Sequence, residues 1–113
     1  MNLRCLAMLL AIALLAGCAP IVDVTKTAKG FYDKTNPNDV EILKTVPKGD
    51  YIELGTVTVT GFPPDQSAKM HNAIRSKAAA LGASAVILTE EGIIDEGWGG
   101  PKKWATGVAI RHP

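Results

Sequence analysis

Lys77-Ala78-Ala79-Ala80-Leu81-Gly82-Ala83-Ser84-Ala85-Val86-Ile87 is the stretch on which the fold turns. Its first half closes an apolar stripe. Met70, Ala73, Ile74, Lys77 with Ala78, and Leu81 recur at three-and-four spacing, which predicts a helix running to about Leu81. Asp65 or Ser67 stands where the cap of that helix belongs, just behind the breaker Gly61-Phe62-Pro63-Pro64. Lys69, Asn72, Arg75 and Ser76 fall on the side facing water. Gly82 is placed to end the helix in a left-handed conformation, which glycine adopts without a steric penalty. Ala83 to Thr89 then reads as a buried strand with small residues where the helix must approach. A strand that follows a helix so closely points to at least one parallel pairing.

Tyr51 to Thr60 is rich in β-branched and aromatic residues and predicts a strand. Its alternation contains a slip: Ile52 and Leu54 share one face, whereas Val57 and Val59 have the opposite parity. Gly55 sits at the break, where either a β-bulge restores one buried face or the strand is buried on both. Val40-Glu41-Ile42-Leu43 is a shorter strand stopped by Pro47 and Gly49. On the other side, Ile93-Ile94 extends the strand after the helix, and Gly97, Gly99, Gly100 and Pro101 form a loop carrying Trp98. Trp104 to Arg111 returns as a strand with Trp104, Thr106, Val108 and Ile110 on one face, and Trp104 is expected in the core. The resulting order, β-β-α-β-β, is an α+β domain over residues 40–113 with one helix packed on a small mixed sheet.

Residues 18–39 read as a tether, and the turn Thr35-Asn36-Pro37-Asn38 marks the start of the domain. As a flexible coil, residues 19–39 would span ~25 Å root-mean-square. Ile21 to Thr25 can form a short strand, and Val22, Val24, Phe31 and Tyr32 can dock on the domain.

Residues 1–17 read as a signal peptide, with Arg4 followed by an apolar run from Cys5 to Ala16. That run falls short of the ~20 apolar residues needed to cross a bilayer. Leu15-Ala16-Gly17-Cys18 resembles the lipobox of bacterial lipoproteins. The resemblance implies peptidase recognition of Leu15, Ala16 and Gly17, cleavage before Cys18, and a diacylglyceryl thioether on the Cys18 sulfur. Acylation of the new amino terminus follows. Each buried acyl methylene contributes ~0.8 kcal/mol, so two or three chains hold the protein to a membrane essentially permanently. Ala19, rather than Asp, follows the cysteine. By the same resemblance this implies the periplasmic face of the outer membrane, or the extracytoplasmic face of the plasma membrane in an organism with one membrane.

Cleavage would remove Cys5 and commit Cys18 to lipid, leaving no thiol for a disulfide although secretion permits one. It would also remove Arg4, leaving eleven basic residues against eleven acidic ones. A neutral chain with scattered Lys and Arg gives no electrostatic case for nucleic acid. A domain this small is marginally stable, so good local signals, a metal or association with another chain, a second copy included, must support it.

Tyr51-Ile52-Glu53-Leu54-Gly55-Thr56-Val57, taken with the helix-to-strand stretch quoted first, is similar to a group of small bacterial domains. That group includes the Rcs envelope-stress sensor lipoprotein and a family described as heavy-metal-binding, and in it Leu-Gly-Ala-x-Ala-Val-Ile links helix to strand. The likeness covers roughly residues 40–111 and rests on two packing motifs. The Rcs sensor relies on disulfides within its domain, and this chain has none to offer, so its sensing mechanism does not transfer.

No set of residues specifies a reaction. His71 has Arg75, not an acid, at the next helical turn and reads as a boundary histidine; His112 lies one residue from the end. Ser67, Ser76 and Ser84 show no partner His and Asp in the sequence, and Ser67 is explained as a cap. Glu90, Glu91, Asp95 and Glu96 could supply carboxylates to Ca²⁺ but lack the alternating spacing of a calcium loop, and a solvated hairpin tip accounts for them. Trp98 between glycines is either an anchor for a partner or a cover folded back over the sheet or onto Lys102 or Lys103. The expectation is a lipid-anchored, non-catalytic envelope protein, with no cofactor beyond the lipid on Cys18, that binds another envelope component through the Trp98 loop. The alternative is a sensor responsive to envelope stress, a small ligand or a metal.

Overall fold

The structure is a computed structural model describing residues 20–95, 97 and 99–113. Five strands form one sheet: β1 (Ile21–Lys26), β2 (Glu41–Leu43), β3 (Ile52–Phe62), β4 (Ala85–Asp95) and β5 (Pro101–Arg111). A single helix, α1 (Ser67–Ala80), lies between β3 and β4, and a 3-10 turn spans Pro37–Asp39. The spatial order is β1-β3-β5-β4-β2, with β2 parallel to β4 and the other three pairings antiparallel. This is the α+β fold read from the sequence, with the parallel pairing where the tight helix-to-strand link calls for it.

The helix covers one face of the sheet. Met70, Ile74, Ala78 and Ala79 are buried against Leu54, Val57 and Val59 of β3, Val86 and Leu88 of β4, and Ala105 and Ala109 of β5. The slip in β3 is a bulge: the register with β5 shifts between Glu53 and Gly55, so Leu54, Val57 and Val59 all reach the same core. Under the helix β5 carries only small residues, Ala105, Gly107 and Ala109, because the helix approaches closely there. Trp104, Thr106, Val108 and Ile110 do share a face, but it is the one turned away from the helix. Trp104 is half-buried rather than a core residue.

Two further expectations change. Residues 21–26 form the strand that Ile21 to Thr25 allowed, an edge strand with Ile21 opposite Thr60 and Lys26 opposite Gly55, so the folded unit takes in residues before 40. After β1 the chain crosses the end of α1, where the Thr35 amide bonds to the Ala79 carbonyl at 2.9 Å and the Arg111 guanidinium sits 4.4 Å over the Tyr32 ring. Val22 and Tyr32 pack on the core, whereas Phe31 is 91% exposed. The second concerns the helix start. Its N-cap is Gln66, with no side-chain cap bond, and Ser67 Oγ instead accepts from Lys103 Nζ at 2.8 Å. Neither Asp65 nor Ser67 caps the helix.

Candidate functional site

The sheet has two unlike ends. At one, Ile21, Thr60, Trp104 and Gly92 form a rung across β1, β3, β5 and β4. Pro20 continues past that rung beside Gly61, where an added Cβ would lie 3.4 Å from the Pro20 Cα. The hairpin of β4 and β5 also runs on, through Ile93 opposite Lys103, Ile94 opposite Lys102 and Asp95 opposite Pro101. Gly97, Gly99 and Gly100 all have positive φ, which lets the chain reverse there, and Asp95 Oδ1 accepts from the Gly97 amide at 3.1 Å. Ile21, Ile93 and Ile94 are exposed to 57%, 59% and 39%, so this end gathers apolar surface that the core does not cover.

On the helix side, Arg75 is half-buried rather than free in water. Its Nε donates to the Val40 carbonyl at 3.2 Å and its Nη1 to Asn72 Oδ1 at 2.8 Å. These groups border an open groove of about 440 Å³ running along the edge strand β2, with Glu41, Ile42 and Asn38 on its far side. His71 Nε2 lies 3.7 Å from Glu91 Oε2, a partner supplied by β4 that the helical spacing alone did not show. The open face is less bare than one helix on a sheet suggests. Tyr51 and Leu43 pack over Ile87, Val108 and Ile110, and the Thr58 and Thr106 hydroxyls are 3.3 Å apart.

The residues on which the sequence reading placed function are not brought together. Leu15, Ala16, Gly17, Cys18 and Trp98 lie outside the described residues, as does Glu96. Glu90 is opposite Thr106 and Glu91 opposite Ala105, so the two side chains leave the strand on opposite faces. Among the described residues no three His, Cys, Asp or Glu side chains gather in a way that could hold a metal ion. His71 and His112 stand at opposite ends of the sheet, and Ser84 Oγ is buried without a hydrogen-bond partner, hence without a base. The groove beside Arg75 and the His71–Glu91 pair were missed because each joins residues far apart in sequence.

No family model matches the chain. No curated protein matches it either. Among solved structures, the crystal structure of a Francisella virulence factor, FvfA, is similar with a TM-score of 0.57 at 11% identity, covering 80% of this chain and 98% of that one. At that identity the likeness concerns the fold alone.

Proposed function

We propose that the chain is a lipid-anchored, non-catalytic protein of the cell envelope that binds another envelope component. The observation that carries this reading is Leu15-Ala16-Gly17-Cys18 at the end of an apolar run that opens after Arg4. It is compatible with the absence, among the described residues, of any helix long and apolar enough to cross a membrane. Trp98 is the proposed anchor for the partner. It lies between β4 and β5, flanked by glycines of positive φ, and an indole is among the side chains most often found to dominate protein interfaces. A second reading, a sensor for a small ligand, is favoured by the groove beside Arg75, Asn72 and Glu41, whose mixed charges suit a zwitterionic or hydrogen-bonding species.

The test is made in cells. The protein should be recovered from membranes with the mass of an acylated Cys18 amino terminus, and Cys18→Ser should leave an unlipidated precursor. Crosslinked envelopes should yield a specific partner that Trp98→Ala loses while the domain stays folded. Full acyl mass on the Cys18→Ser protein would refute the anchor, and undiminished partner recovery with Trp98→Ala would refute the Trp98 interface.

A further inference from the structure

We propose that the β4–β5 hairpin is seated, through Ile93 and Ile94, in the interfacial layer of the same bilayer that holds the lipid on Cys18, so that Trp98 meets its partner at that surface. The proposal rests on the acylation of Cys18 put forward above, and it names a surface of the folded domain as a second membrane contact.

Two lengths carry it. From Ile21 back to Cys18 is three residues, which at ~3.3–3.6 Å each reach at most ~11 Å. From the rung shared by Ile21 and Gly92 out to Asp95 is also three residues, a rise of ~10 Å along the strand. Pro20 already runs beside Gly61 in the direction of the hairpin tip. An acylated Cys18 can therefore lie no more than about 11 Å beyond Ile21, which is about the reach of the tip. While β1 stays paired with β3, the chain has no slack to hold the domain far from the bilayer.

The chemistry of the tip agrees. Beyond Phe62 the sheet narrows to the two strands β4 and β5, and a two-stranded ribbon in water has no core of its own. Ile93 and Ile94 are successive residues and so point to opposite faces of this ribbon, exposed to 59% and 39%. The domain cannot cover both. In the sequence of the tip, Asp95 and Glu96 match Lys102 and Lys103 in number, so it carries no dominant sign. Its attraction is to the apolar boundary of the membrane rather than to anionic headgroups, and phosphatidylcholine suffices as the lipid.

The experiment uses the acylated full-length product. Because the mature chain keeps no free thiol, Lys102→Cys at the tip and Asp50→Cys at the opposite end each give one site for an environment-sensitive dye. In phosphatidylcholine vesicles containing lipids brominated along their acyl chains, the dye at position 102 should shift to the blue and be quenched, and the dye at position 50 should not. Ile93→Asp with Ile94→Asp should return the position 102 dye to an aqueous spectrum while the protein still floats with the vesicles. Equal behaviour of the two dyes on floating protein would overturn the proposal and leave the anchor standing. Quenching that survives the two aspartates would overturn it as well, by showing nearness without seating. Protein that neither floats nor carries acyl mass would overturn the anchor and this proposal together.

Discussion

Gly82 shows how one residue can hold a fold boundary. Its φ is +90°, and a Cβ there would lie 2.7 Å from Tyr32 Cβ and 2.9 Å from the Asp33 carbonyl oxygen. A side chain would meet both an unfavourable backbone and the segment crossing the end of α1. Gly82→Val should therefore cost at least ~2 kcal/mol, seen as a lowered urea midpoint at unchanged slope. Trp104 makes the opposite case. Its indole lies against Gly92, where an added Cβ would come within 3.0 Å of Nε1, and its outer side is open to water. Trp104→Ala should cost ~1–3 kcal/mol, less than truncating a fully buried tryptophan, since part of its surface stays open to water. Ile74, fully buried between helix and sheet, sets the comparison: Ile74→Ala should cost ~2–5 kcal/mol. If chemical denaturation ranks Trp104→Ala above Ile74→Ala, the helix side is not the main core.

Among the elements, α1 begins with an evident weakness. Gln66 makes no side-chain cap bond, and the first turn carries Lys69 but no acidic residue. Gln66→Asp would supply both an acceptor for the free amides and a charge of the right sign, and should stabilise by ~0.5–1 kcal/mol. A melting temperature that does not rise would mean the cap is already satisfied by water. The helix itself was legible because Met70, Ile74 and Ala78 bury one stripe; the break in β3 was legible at Gly55, but the alternation did not decide between a bulge and a strand buried on both faces. Which face of β5 met the helix was not. A period of two sorts residues into two faces without saying which is covered, and hydrophobicity misleads where close approach selects Ala105, Gly107 and Ala109 over Trp104 and Ile110. The strand β1 was legible at Ile21 to Thr25, but its place in the folded unit was not. An edge strand buries little, and in Ile21-Val22-Asp23-Val24-Thr25-Lys26 only Val22 packs on the core. Of the candidate site, only single residues could be read. The groove along β2 joins Arg75 to Val40 across thirty-five positions, a distance no local pattern spans.

At the scale of the whole molecule, the question is what a disulfide-free chain of this size uses to stay folded. No cysteine follows Cys18, so reductant should leave the melting temperature of residues 20–113 unchanged, in contrast to a domain stapled by cystines. Stability must then come from burial, and the segment before residue 40 supplies more of it than its composition suggests. β1 pairs along six residues of β3 and satisfies one edge of the sheet, and Val22 covers part of the β3 core. The Thr27 and Ala28 amides bond to the Leu54 carbonyl at 3.0 and 3.2 Å, beside the bulge. Tyr32 and Thr35 close the C-terminal end of α1, where the last carbonyls of a helix otherwise lack partners. Removing residues 20–39 would strip β3 of a neighbour, expose Leu54 and leave Ala79 without the Thr35 amide. Small domains have only about 5–15 kcal/mol of net stability, and these losses together are of that order. A fragment spanning residues 40–113 should therefore lose its cooperative thermal transition, whereas residues 20–113 should keep it, as read by circular dichroism and by the dispersion of amide proton resonances. If the shorter fragment melts cooperatively within a few degrees of the longer one, β1 and the crossing segment are accessories to a self-sufficient four-stranded domain. The lipid proposed for Cys18 would then hang on a strand free to unzip, and the short reach proposed to bring the β4–β5 tip to the bilayer would no longer be enforced.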